Sequence, residues 1–222
     1  MLRTQEQRCS VMQEGINSVE LCGVVAADPV FSHENHGQSF FRFPLEVARL
    51  SGQADQIEIL ALSATLAATP VSAGAPIRVL GQLRSYNNRG DSGRRLVISV
   101  LANVLTPWEG EARNAVLLSG ALCKPPILRR TPLGRSICDI MLAVNRRYGR
   151  SDYLPCIAWG QLAMEIGSMA VGAPVALEGR MQSRAYTKVI DGQPEPRVAY
   201  EISIMRLADA GAPLRPAQPE EE

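Results

Sequence analysis

The sequence predicts an all-β protein built as two tandem OB-fold (five-stranded Greek-key) barrels, each with one short helix between strands 3 and 4. Three observations predict it. The chain repeats itself: NSVELCGVVAADP at 17–29 aligns without a gap with NAVLLSGALCKPP at 114–126, and LEVAR at 45–49 with LAVNR at 142–146. Further on, GAPIRVLGQL at 74–83 aligns with GAPVALEGRM at 172–181. Both copies alternate apolar and less constrained residues with a period of two, the pattern of half-buried strands. One helical pattern, GQLAMEIGSMAVG, lies mid-copy, with Leu162, Ile166 and Met169 at i, i+4 and i+7 and Gly172 closing it. A single helix in that place suits a closed barrel and sits awkwardly in a β-sandwich.

The elements follow in order. Val19, Leu21 and their repeats Val116, Leu118 mark the opening strands. QSFFRFPLEVAR and RSICDIMLAVNR form second strands rich in β-branched and aromatic residues. Phe41 and Phe43 share one face there and Phe40 the other. Their counterparts Ile137, Cys138 and Ile140 are mostly aliphatic, so the three rings read as packing. IRVLGQLRSY and VALEGRMQSRAY enter hairpins, and RRLVISVLANVL and RVAYEISIMRL return from them. The expected organisation is an N-terminal extension at 1–15, a first barrel at 16–107, a linker at 108–112, a second barrel at 113–207, and a short acidic Pro/Ala-rich tail at 208–222.

Composition narrows the function classes. Apolar residues at 46% and charged residues at 20% describe a globular chain. No apolar run approaches the roughly 20 residues needed to cross a bilayer, and no hydrophobic leader opens the chain. Five cysteines without a CxxC pair fit free thiols in a reducing cytoplasm. His33 and His36, in HENH, lie on an expected loop without further ligands at metal spacing. The glycines at 81, 90 and 93 lack the following GK[ST] of a phosphate cradle, so they read as hairpin glycines. No catalytic constellation, metal site or cofactor site stands out, so a non-enzymatic role is expected.

The charge is unevenly placed. Residues 16–107 carry seven Lys/Arg against seven Asp/Glu, whereas 113–206 carry thirteen against seven. The chain has only four Phe, five Tyr and two Trp. Nevertheless RRYGRSDYLPCIAWGQ, at 146–161, interleaves three of these rings with three arginines. Basic residues among exposed rings suit a polyanion that carries flat bases.

The second copy resembles bacterial single-stranded DNA-binding proteins. The likeness rests on NAVLLSG with Pro126 six residues beyond its glycine, LAVNRRY, IAWGQLAMEIG, and GAPVALEGRMQSRAY with the hairpin KVIDGQPEPR behind it. The resemblance implies binding of single-stranded DNA with little sequence preference, in replication, recombination or repair. It places base stacking on Tyr148, Tyr153, Trp159 and Tyr186, with Arg146, Arg147, Arg150, Arg184 and Lys188 beside the phosphates. In the first copy Ser51, Gln56 and Leu62 replace three of those rings, and only Tyr86 is expected opposite Tyr186. The hairpin bases Arg84 and Arg89 remain for phosphate contact, and the second copy is the expected principal binder.

Four such units per particle are usual in the family, so two per chain imply a homodimer in the cytoplasm, associated with the nucleoid. The tail ADAGAPLRPAQPEEE ends in bare glutamates and lacks the hydrophobic tip through which relatives dock other proteins, which puts recruitment by that route in doubt. Two alternatives stay open: an OB-fold interaction scaffold, such as a primosome or mobile-element accessory factor, and a binder that prefers RNA.

Overall fold

The computed structural model describes residues 15–90, 93–190 and 192–208, with side chains except at 89, 90, 93–95, 190, 195 and 196. The first repeat runs β1 (Asn17–Val25), β2 (Val30–Asn35), β3 (Gln38–Ala48), β4 (Ala54–Leu62), α1 (Ser63–Ala68), β5 (Pro76–Gly90) and β6 (Gly93–Pro107). The second runs β7 (Arg113–Leu122), β8 (Ile127–Arg130), β9 (Ser136–Asn145), a single 3-10 turn (Arg147–Gly149), β10 (Ser151–Trp159), α2 (Gly160–Gly167), β11 (Pro174–Ile190) and β12 (Gln193–Ala208). β12 thus reaches one residue past the expected end of the second barrel. The tail beyond it and residues 1–14 lie outside the described residues.

Each repeat closes on itself. β1 pairs with β3 and β5, β3 with β4, β4 in parallel with β6, and β6 with β5. The second repeat makes the same circuit through β7, β9, β10, β12 and β11, again with one parallel contact, between β10 and β12. This is the strand circuit of an OB barrel. In each repeat the hairpin strand, β2 or β8, adds to the circuit's second strand, β3 or β9.

The repeated residues are explained by that closure. Where β1 crosses β3, a side chain at Gly23 would sit 2.2 Å from the carbonyl oxygen of Glu46; at Gly120 the equivalent clash is 2.3 Å, with Ala143. Only glycine lets the strands approach so closely. Asn17 extends β1 beyond its ladder: its side-chain amide donates to the Leu83 carbonyl and accepts from the Leu83 N–H, both at 2.8 Å. Asn114 does the same with Met181, at 2.7 and 2.9 Å.

Inside the barrels, Leu21, Phe43, Leu45, Ile57, Val79 and Leu83 fill the first, and Leu118, Leu142, Leu154, Leu177, Met181 and Ile202 the second. α2 inserts a fully buried Ile166 into that core. It stops at Gly167 rather than running to Gly172. Ser168 caps it through the Glu165 carbonyl, while Met169 still packs on the core from the following turn.

β1 and β7 pair antiparallel and join the barrels into one twelve-stranded sheet. Val19 lies opposite Val116, its own counterpart in the repeat, while Asn17 faces Leu118 and Leu21 faces Asn114. The two repeats are therefore related by a pseudo-two-fold axis through that valine pair. Two buried clamps obey it. Asp152, with no exposed surface, accepts from the Ser85 N–H at 2.6 Å and holds Arg146 in a two-pronged pair, and Ser85 Oγ accepts from the Tyr153 N–H at 2.7 Å. Asp55, equally buried, accepts from the Ser183 N–H at 2.7 Å, holds Arg49, and Ser183 Oγ accepts from the Gln56 N–H at 2.9 Å.

Removing one partner of a buried, hydrogen-bonded ion pair leaves the other uncompensated. Asp152→Ala and Asp55→Ala should each lower the free energy of unfolding by on the order of 3 kcal/mol in urea titrations, with the larger loss at Asp152, which a second guanidinium, Arg84, also reaches.

Candidate nucleic-acid interface

The site is built on β10 and the turn before it. Along β10 the even positions Leu154, Cys156 and Ala158 face the core, so the odd positions present Tyr153 and Trp159 on the outer face, 47% and 43% exposed. Six residues apart on an extended strand, they stand roughly 20 Å from one another, too far for adjacent bases to span. Tyr186, on the β11 arm, is 39% exposed, and Tyr148, in the turn, is 98% exposed. None of the four rings fills a core.

Tyr148 occupies the left-handed region, with φ 63 and ψ 33, and Gly149 follows at φ 69. The turn is closed by the Arg146 N–H donating to the Arg150 carbonyl at 2.7 Å. In the first repeat Arg49 and Gln53 close the same turn at 2.7 Å, and there only Gly52 has a positive φ. A tyrosine in this conformation costs about 1–2 kcal/mol that the turn does not require.

The basic residues divide. Arg150, Arg184 and Lys188 are exposed beside the rings, as is Arg147. Arg146 belongs to the Asp152 clamp and also donates to the Ser85 carbonyl at 3.3 Å; Arg84 reaches the same aspartate at 3.2 Å and bonds Gln82. Both therefore serve the junction between the barrels. The side chain of Arg89 lies outside the described residues. Arg84, Arg146, Arg147 and Tyr148 nonetheless border a cleft of about 440 Å³ between the repeats, with Asn17 and Gln82 on its other side.

The structure also revises one correspondence. β5 and β11 carry equivalent bulges, at Leu80/Gly81 and Glu178/Gly179, and Ser85 and Ser183 make equivalent clamps. That register puts Tyr86 opposite Arg184, two residues short of Tyr186. Tyr86, 57% exposed, thus adjoins the serine that binds the Tyr153 backbone, and it lies beside the second barrel's platform. Extending the gapless match of 74–83 with 172–181 gives this same pairing.

The three phenylalanines separate as well. Phe43 is buried in the core, but Phe40 stands on the outer face with the His33 imidazole stacked on it, centroids 4.8 Å apart, and Phe41 meets an exposed Phe31 edge-on. Among the described residues no three His, Cys, Asp or Glu side chains gather where a metal could sit, and no helix is long and apolar enough to cross a membrane. Burial pushes the Cys22 thiol up to about 11 and Cys156 further still, so both stay protonated near neutral pH.

Two joined OB barrels, one bearing exposed rings and cations on an outer sheet face, define a tandem OB-fold protein with a base-and-phosphate type of surface. Residues 113–207, the second barrel, match the sequence model described as the single-strand binding protein family. Over 88% of its length the chain is 26% identical to the single-stranded DNA-binding protein of Thermus aquaticus, covering 85% of that protein. The crystal structure of the wild-type Thermus protein superimposes with a TM-score of 0.71 over 93% of this chain and 98% of that one. A Bacillus cereus single-stranded DNA-binding protein is 34% identical over 38% of this chain; the match spans 52% of its length.

The strain at Tyr148 gives a test that separates folding from binding. Tyr148→Gly should leave the stability unchanged or raise it by about 1 kcal/mol in urea melts, while weakening an oligo-dT complex roughly five- to a hundredfold by anisotropy.

Proposed function

We propose that the chain binds single-stranded DNA with little sequence preference, stacking bases on Tyr148, Tyr153, Trp159 and Tyr186 and passing phosphates along Arg147, Arg150, Arg184 and Lys188. The observation that carries this reading is that all four rings are exposed on a barrel whose sister repeat folds the same elements with Ser51, Gln56 and Leu62 in place of three of them. The aromatics are not needed for the fold. Every base offers a π-face, so stacking is indifferent to sequence and contributes about 1–3 kcal/mol per base. Tyr86 extends the platform from the first barrel. Arg84 and Arg146 hold the aspartate clamp and reach the strand only at the cleft.

The role fits replication, recombination and repair, where exposed strands are protected, and the cytoplasm, at the nucleoid. A homodimer would gather four barrels into one particle. Comparison of matched DNA and RNA oligomers decides between those polymers.

Trp108 is fixed in the linker by donation of its indole N–H to the Glu111 carbonyl at 2.9 Å and by Arg78 over its ring. Trp159 is therefore the fluorophore at the interface. Oligo-dT should quench intrinsic fluorescence, and Trp159→Phe should abolish most of that quenching while keeping much of the affinity. An unchanged quench in the variant contradicts the placement.

Salt titration tests the cations. For single strands log K falls with log salt by about 0.7 for each phosphate neutralised, so Arg150→Ala and Lys188→Ala should each flatten the slope by up to about 0.7 without loss of stability. Arg146→Ala should instead destabilise the fold.

A further inference from the structure

We infer that the first barrel carries a stacking site of its own, made by His33 and Phe40 and taking an unpaired nucleobase of the same DNA strand. The inference rests on the proposed binding of single-stranded DNA and extends it to the repeat that lacks Tyr148, Tyr153 and Trp159.

The evidence begins with one rung of the sheet. In the second barrel Trp159 on β10 lies opposite Ile137 on β9, which lies opposite Arg129 on β8. In the first, Leu62 on β4 lies opposite Phe40 on β3, which lies opposite His33 on β2. Leu62 is the counterpart of Trp159 and Phe40 the counterpart of Ile137. The aromatic and the aliphatic have exchanged strands, so the outer face of this rung keeps one large ring in both barrels.

A second, independent feature brings His33 to that ring. β2 carries a bulge at Ser32, between the pairs Phe31↔Phe41 and His33↔Phe40, whereas β8 pairs with β9 in unbroken register. Regular pairing would set His33 against Ser39. The extra residue sets it against Phe40, ring on ring, with planes 4° apart. Bulges gather where a side chain is re-aimed for use. Ser32 Oγ lies 3.0 Å from His33 Nδ1 and steadies the imidazole.

The occupant follows from the geometry. Among the described residues β2 is the edge strand of the sheet, so no strand of theirs lies beyond the exposed imidazole, which continues the row Leu62, Phe40, His33 outward. A flat, uncharged π-system is what that open ring face accepts. Two residues along the same face of β3, Arg42 is 59% exposed and 3.8 Å from Glu58, close enough to the row to meet a phosphate. At its other end β4 begins at the Asp55–Ser183 clamp, beside Arg184 of the second barrel. A strand leaving the second barrel therefore meets a basic residue at the junction before it reaches the His33–Phe40 row.

The test uses the full chain and fluorescein-labelled oligo-dT of about 8 nucleotides, enough for one barrel, and of about 35 nucleotides, enough for several. Phe40→Ile installs the side chain that the second barrel accepts at this rung, and His33→Ser removes the imidazole. The double variant should bind the short oligomer as the wild type does and the long one roughly five- to a hundredfold more weakly. Long oligomers carrying 5-iodouracil should photo-crosslink to Phe40 or His33 in the wild type. Equal affinity for the long oligomer, with crosslinks confined to the second barrel, overturns the inference and leaves the proposed function standing. A variant that binds normally but sediments differently also overturns it, by showing the row to be a contact between copies. Failure of the wild type to bind either oligomer removes the proposed function and this site with it.

Discussion

The antiparallel pairing of β1 with β7 is the constraint on which the rest of the molecule depends. Two copies of one strand, paired with Val19 against Val116, generate a two-fold relation in which every contact between the repeats must be made twice. The aspartate clamps are that duplicated contact. A buried carboxylate left to itself costs several kcal/mol, so each is compensated by a backbone N–H and a guanidinium. Ser85 reaches Asp152 and Ser183 reaches Asp55 from the opposite barrel. The arrangement ties the arm of each barrel to the third strand of the other, which fixes the two outer faces relative to one another.

Divergence between the repeats has spared this machinery and changed what surrounds it. Arginine, aspartate, serine, asparagine and the closing glycines recur in both copies, because each meets a buried partner that a substitute would leave unpaired or would strike. Position 56 and position 62 face outward, where Gln or Leu folds as well as Tyr or Trp. Surface substitutions of this kind usually move stability by less than about 0.5 kcal/mol. Rings kept there in the second repeat answer to something other than the fold, and the left-handed Tyr148 works mildly against it.

The repeat made much of this legible before any coordinates. Period-two patterning, the recurring Asn and Gly, and the helix before the fourth strand lead to the barrels, since these signals are local or simply duplicated. What a linear reading misses is partnership across distance. Arg146 and Arg84 look like phosphate ligands because the sequence displays their charge but not the aspartate that holds them, and Asp152 gains its meaning only when Ser85 is folded against it. Tyr86 falls opposite Arg184 because the equivalent bulges keep the two arms in one register, which matching ring to ring along the sequence overrides. Phe40 reads as core because its counterpart is aliphatic; a swap between neighbouring strands is visible only once the rungs are known.

Charge and stacking then need to be weighed against each other. The second repeat carries an excess of positive charge, but Arg113 is paired with Glu20, Arg129 with Asp139, Arg146 with Asp152 and Arg206 with Glu178. These guanidiniums already have carboxylates. A phosphate must displace a carboxylate to reach them, which returns little net energy, since one charge-assisted bond replaces another. The cations beside the rings, Arg147, Arg150, Arg184 and Lys188, are too few to hold a strand by charge alone at physiological ionic strength, where the field of each decays within about 8 Å. The rings have no such competitor and do not depend on salt. In the proposed complex the larger share of the affinity thus belongs to the aromatic face, with the remaining cations setting the path and direction of the strand across it.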